Sequence, residues 1–345
     1  MNNLTRRQFA ALSVASLAGL VVAGRASGRQ PAASSGKTSG DTFTYFDWKK
    51  LADNVWAGLP REGYPFSGGN TLLVVGAAAV LLSDTKFTAL GPELAAEAAA
   101  IAGRRPTIVF NTHHHMDHTA GNNSFADARL ISQELAKPRI EGQVANYAKG
   151  IEGNIGEIAK LNKPETEPTL NRAKEMLDKA PSFKAADFTP RETFKDELAL
   201  DVGGIKVSAQ HVGPGHTDND AFLFLPQQNV MHTGDLLFNK LHPFIDGKAG
   251  ASTTGWQNSL KVMIALCNDK TIVVPGHGAI ADKSALQAQY DYWDKLRTAV
   301  KHAKDVESMT RDEVMKLKPG GFDGYGFDQM LPNALGVLFD ELSKN

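Results

Sequence analysis

The sequence predicts an α+β domain built from two comparable halves of sheet and helix. Three observations predict it. Short runs rich in β-branched and large aliphatic residues alternate with glycine-containing turns, stretches of helical length and pattern stand between them, and several strand-like runs end in loops that collect histidine and aspartate. With 345 residues and 42% hydrophobic content, the chain can bury a large core.

Taken in order, the chain opens with "MNNLTRRQFAALSVASLAGLVVAGRASG": a polar start, Arg6 and Arg7 before a phenylalanine, a modest apolar run, and small residues around Ala26. Residues 1–26 resemble a twin-arginine (Tat) export signal with cleavage after Ala26. A membrane anchor needs roughly 20 strongly apolar residues, whereas Ser13, Ser16 and Gly19 interrupt this run. Residues 27–42, rich in Ser, Gly, Ala and Pro, read as a flexible linker. Without the three arginines of residues 1–26, 34 basic residues face 38 acidic ones, a formal charge of −4. That balance argues against a nucleic-acid surface.

A main domain is expected over residues 43–303. "NVWAGL" reads as a strand, and "NTLLVVGAAAVLLSDT" as a hairpin turning near Gly76. "GPELAAEAAAIAG" follows as a helix with proline near its start and Gly103 after its end. "PTIVFNT" is a short β-branched run suited to a buried strand. Further hairpins are predicted in "LALDVGGIKVSAQHV" and "AFLFLPQQNVMHTGD", then a helix in "TTGWQNSLKVMIALC", a strand in "TIVVPGHG" and a closing helix in "KSALQAQYDYWDKLRTAVKHA". Between the two halves, residues 133–185 are charged and helical in pattern and read as an inserted cap; residues 304–345 form a C-terminal helical extension. Tyr64 and Phe66, in "REGYPFSGGN", are readable either as an aromatic wall or as plain hairpin packing. The single cysteine, Cys267, excludes an intramolecular disulfide and reads as a buried structural thiol.

The chemistry concentrates in "NTHHHMDHTAGN", where four of the chain's ten histidines fall between His113 and His118, just beyond a predicted strand. Three further loops share that position: "GPGHTDND" with His216, "HTGDLLF" with Asp235, and "VPGHG" with His277. In extended chain, alternate residues share a side, so His113, His115 and Asp117 face one way and His114 and Met116 the other. His118 joins as the loop turns. Imidazole and carboxylate are ligands of zinc and similar divalent metals. Seven candidates exceed the needs of one ion and suit two metals sharing a carboxylate. His114, His211 and His302 read as structural or solvated, while His232 and His242, beside Asp235, are readable as outer partners or pocket residues.

The string "HHHMDH", followed in order by a His, an Asp and a His, resembles the metallo-β-lactamase superfamily over residues 43–301. The resemblance implies an αββα sandwich with the site at one edge between the sheets. It implies a first metal on His113, His115 and His216, a second on Asp117, His118 and His277, and Asp235 bridging. Some zinc β-lactamases carry a cysteine at the bridging position and others lack that aspartate, so Asp235 points to the glyoxalase II-like and general hydrolase branches.

The function so implied is an exported dinuclear zinc hydrolase that attacks a small ester, thioester, lactone or amide with a metal-bridging hydroxide. Asp117 is the catalytic candidate, as ligand or as base. The expected partners are a small-molecule substrate and the Tat export machinery; no nucleic acid and no stable membrane association after cleavage are expected, in a periplasmic or secreted protein. Two other readings stay open: a mononuclear iron dioxygenase of the persulfide dioxygenase type, and a non-catalytic protein that binds metal or ligand.

Overall fold

Leu72 and Val74 face one side of a strand and Leu73 the other, yet all three are fully buried. A strand of this kind needs cover on both faces, and the fold supplies it. The computed structural model describes residues 45–62 and 68–344. The segments expected to be an export signal and a linker (residues 1–42), and Tyr64 and Phe66, lie outside the described residues.

The first sheet has the order β1 (Phe46–Ala52), β2 (Val55–Pro60), β3 (Thr71–Val75), β4 (Val80–Ser83), β5 (Ile108–Asn111), β6 (Arg129–Gln133), β7 (Glu192–Phe194). It begins as an antiparallel meander and becomes parallel from β4 to β7. The second sheet runs β12 (Ile272–Val274), β11 (Val230–His232), β10 (Phe222–Leu225), β9 (Ile205–Gln210), β8 (Glu197–Val202), antiparallel except for the parallel pair β11 and β12.

The two sheets meet through Leu72, Val74, Leu81 and Phe110 from one and Val207, Leu223, Val230 and Val274 from the other. On the outer face of the first sheet, Leu73, Leu82 and Val109 pack against Leu94 and Ala98 of helix α1 (Gly91–Ala102). The loop after β5 contains the short helix α2 (Met116–Thr119). Four helices lie between β6 and β7: α3 (Ala136–Gln143), α4 (Tyr147–Leu161), α5 (Glu167–Lys179) and α6 (Ala185–Phe188). They are tied down at two places. Glu93 of α1 accepts hydrogen bonds from Thr169 (2.5 Å) and Arg172 (2.7 Å) of α5, and Ile140, Tyr147 and Phe188 pack on Met116 and Ala120 at the histidine-rich turn.

The outer face of the second sheet packs on α7 (Thr253–Leu266) and α8 (Lys283–Asp305), with Trp256 and Trp293 fully buried between them. Residues after α8 return to this layer through α9 (Arg311–Val314) and α10 (Leu331–Leu342), where Val314, Leu335 and Leu338 join the same core. The layers are therefore α, β, β, α, as in the sandwich the sequence implied. Buried Cys267 ends α7, and burial pushes its thiol up from its ordinary range.

Candidate metal centre

Parallel pairing puts the carboxyl ends of β4 and β5 at one edge of the sandwich, and that of β11 and β12 brings their ends together. Asp84 follows β4, His113 follows β5, Asp235 follows β11 and His277 follows β12. His216 arrives on the loop between β9 and β10. The backbone at His115 is still extended (φ −63°, ψ 147°), so His113 and His115 share a side as strand alternation predicts. Asp117 and His118 do not extend that alternation. They stand on the single helical turn of α2, which swings both toward His277.

Two sets of ligand atoms result: His113, His115, His216 and Asp235 converge in one, and Asp117, His118 and His277 in the other. His115 Nδ1 lies 2.9 Å from His216 Nε2. Asp235 Oδ2 stands 3.3 Å from His216 Nε2 and 3.7 Å from His113 Nε2, while its Oδ1 is 3.2 Å from His118 Nε2. In the second set, His277 Nε2 is 3.2 Å from Asp117 Oδ2 and 3.4 Å from His118 Nε2. All seven predicted residues are thus brought together. Two glycines make the crowding feasible: a Cβ on Gly69 would lie 2.1 Å from the His118 ring, and one on Gly276 would lie 2.0 Å from Asp235 Oδ1.

The remaining ring nitrogens are fixed from behind. His118 Nδ1 donates to Asp84 Oδ2 (2.9 Å), His216 Nδ1 to the Phe244 carbonyl (2.7 Å) and His115 Nε2 to Asp246 Oδ2 (3.1 Å). Each bond sets a tautomer that leaves the other nitrogen facing the cluster. Asp84 also accepts from the Thr112 N–H (2.8 Å) and hydroxyl (2.9 Å), and His232 Nε2 lies 3.4 Å from it. His232 is therefore an outer partner. His242 instead binds the Tyr292 hydroxyl at 3.0 Å, away from the ligands. His114 is buried beside Asn219 (3.0 Å), His211 donates to the Asp220 carbonyl (2.7 Å), and His302 is exposed.

The electrostatics fit a cation site. Burial alone would keep His277 neutral, but Asp235 and Asp117 outweigh it and push the imidazole up to about 9. Burial likewise opposes the charged His118, and Asp235, Asp117 and Asp84 raise it well above its usual value. Asp117 is held well below the carboxylate range because His118 and His277 overcome its desolvation. His113, with burial dominant, is driven well below its ordinary value, and His216 falls to about 4 for the same reason. Anionic carboxylates therefore face the unprotonated imidazoles of His113 and His216 in a buried space, while His118 and His277 hold protons that a bound cation would displace. His113 Nε2 and Asp235 Oδ1 are buried there with no hydrogen-bond partner. Orphaned buried atoms of this kind call for an explanation, and a divalent cation with N and O ligands supplies one.

The sequence model of the metallo-beta-lactamase superfamily matches residues 64–277. The chain belongs to this superfamily. Over 87 residues it is 31% identical to a metallo-beta-lactamase type 2 of Bacillus sp. (strain 170), a match covering 25% of this chain and 34% of that protein. Over 89 residues it is 28% identical to the metallo-beta-lactamase type 2 of Bacteroides fragilis, covering 26% and 36%. The chain spans about a third of the length of these relatives. A solved metallo-beta-lactamase from Pontibacter korlensis superposes with a TM-score of 0.52 at 18% identity, covering 72% of this chain and 99% of that one. DIM-1 metallo-beta-lactamase gives 0.51 at 18% identity, covering 73% and 98%. These likenesses establish the superfamily fold. Members are mostly metal-dependent hydrolases, and the clustered ligands agree with metal binding.

Proposed function

We propose that the protein is a dinuclear zinc hydrolase of a small ester, thioester, lactone or amide, from the glyoxalase II-like or general hydrolase part of the superfamily, exported through the Tat route. One observation carries the reading: the Asp235 carboxylate lies between two complete ligand sets, with Oδ2 toward His113 and His216 and Oδ1 toward His118. His113, His115 and His216 would hold one ion, and Asp117, His118 and His277 the other. Two bound divalent ions would lower the pKa of a shared water toward about 7 and polarise the scissile carbonyl.

The chain's own groups do the rest. Asp84, Asp246 and the Phe244 carbonyl keep three imidazoles in ligating tautomers. Asp117 is half-buried and ionised, so it can orient the attacking water by accepting its hydrogen bond. An aspartate at the bridging position, with Cys267 far along the chain at the end of α7, supports the general hydrolase branch over β-lactam specialisation. The names of the curated relatives favour β-lactams as a second substrate class. Among the described residues no helix is long and apolar enough to cross a membrane.

Metal analysis of the purified protein, followed by chromogenic esters, thioesters, lactones and β-lactams, tests the reading. Two zinc per chain with turnover of a carbonyl substrate is the expected result. One iron would replace it with the persulfide dioxygenase alternative, and two ions without turnover would favour the non-catalytic alternative.

A further inference from the structure

Phe327 is a bulky residue held in the left-handed region (φ 62°, ψ 38°), a conformation that favours glycine. It lies between α9 and α10 and is half-buried, with its ring centroid 6.2 Å from that of His277. Its backbone is held on both sides. Gly326 N–H donates to the Lys240 carbonyl (3.0 Å), His242 N–H to the Gly326 carbonyl (2.8 Å), and Met330 N–H to the Phe327 carbonyl (2.8 Å). Next to it, Tyr325 stacks on Tyr292 at 5.9 Å with the rings 15° apart. The C-terminal segment is thus built into the edge of the metal centre, and its strained residue presents an aromatic ring beside a ligand.

A second half-buried ring stands at the other end. Phe244 lies 5.8 Å from His115 and 6.1 Å from His216. The loop that carries it is fastened by the same segment, since Ile245 N–H donates to Asn333 Oδ1 of α10 at 2.8 Å. Asp328, 82% exposed beside Phe327, disfavours an anionic group at that end.

We propose that Phe327 is a specificity-determining residue that, with Phe244, forms aromatic walls at the two ends of the metal centre and receives uncharged apolar groups of the substrate. The proposal rests on the hydrolase reading for its substrate but not for its test. Zinc-loaded protein is titrated calorimetrically with 2-phenylethanethiol and with 2-mercaptoethanol, whose thiolates seek the metals while only the first offers a ring to the wall. The wild type should prefer the phenyl compound. Phe327→Gly, which removes the ring and relieves the backbone, should lower that preference roughly tenfold, the effect of losing about 50–60 Å² of buried apolar contact, without lowering metal content or melting temperature. Phe327→Asn, also tolerant of the left-handed region, should behave alike and replaces the glycine variant should that one fold poorly. A preference that survives both variants, or a wild type with no phenyl preference or no thiol binding, overturns the proposal. Kinetics on phenylacetyl and acetyl esters add a second readout: the KM ratio should move with the thiol preference. Absence of ester turnover would count against the hydrolase reading alone, since the thiol titration is independent of it.

Discussion

Asp84 Oδ2 stands 2.9 Å from His118 Nδ1, and the same carboxylate accepts the Thr112 hydroxyl at 2.9 Å, which in turn lies 3.1 Å from His113 Nδ1. One buried side chain therefore orients a ligand in each set. Asp84 also has a positive φ of 65°, a backbone that asparagine tolerates. Asp84→Asn should keep the fold, measured by circular dichroism, yet weaken zinc binding about 10- to 100-fold in a chelator competition. Unchanged affinity would mean that packing alone fixes the two rings.

Lys86 gives a pH dependence with an unusual sign. Its ammonium is fully buried, donating to the Gly58 carbonyl (3.1 Å) and the Gly69 carbonyl. Burial pulls its pKa from 10.5 to about 7, with Asp84, Asp117 and Glu97 offsetting only part of the effect. Between these values the unfolded chain binds a proton that the folded chain does not, so stability rises with pH. In the metal-free protein the raised His277 and His118 oppose this rise, because their contribution is lost as pH climbs. The lysine's share is therefore read by urea unfolding as the difference between wild type and Lys86→Met, which should grow from pH 7 to pH 10 by on the order of a few kcal/mol. Lys86→Met should lose this rising contribution and, by leaving two carbonyls without their donor, lower stability by about 1–3 kcal/mol. A parallel profile in the variant would show that the lysine keeps its ordinary pKa.

The seven ligand candidates were legible because two signals coincide on them: polar residues at the ends of apolar runs, and a motif that matches the superfamily. Asp84 carries the first signal in "LLSDT" but has no histidine beside it, so it passed unnoticed. Asp246 carries neither. It lies in an irregular loop 131 positions from the imidazole it orients, where no periodicity operates. Strands β1, β6 and β7 were missed for a related reason. "FDWKKLA" alternates only loosely, and "RLISQ" and "ETF" are too short to show a period, so their state comes from pairing with neighbours. The alternation argument held for His113 and His115 and stopped at Met116, where the helical turn begins. Phe327 illustrates a different limit, since nothing in "GYGFDQ" announces that the phenylalanine will occupy a backbone region suited to glycine.

The proposed Tat export rests on residues 1–26 and can be tested apart from the fold. Replacing Arg6 and Arg7 by lysine should block Tat export while the cytoplasmic protein still folds and binds metal. The distribution of the protein between cell fractions checks this. Normal export of the double-lysine form would refute a Tat signal, because the general secretory route tolerates lysine there.

The bridging role proposed for Asp235 is tested best against a neighbour of the ligands that faces elsewhere. Asp235→Ala removes the group lying between the two sets, so metal content and activity should fall together. His114 shares the histidine loop, but its ring turns away to Asn219 (3.0 Å), and its Nε2 lies 3.9 Å from Asp246. Because it is buried rather than solvated, His114→Ala is not silent: the unpaired Asn219 and the lost packing should lower stability by about 1–3 kcal/mol. Metal content should nevertheless stay at the wild-type value, and His113→Ala should lose metal. Elemental analysis together with urea unfolding separates the two effects. His114, His115 and Asp246 also lie close enough to form a third ligand set. If His114→Ala lost metal as severely as His113→Ala, that set would have to replace part of the present assignment, and Asp246 would become a ligand rather than the group that orients His115.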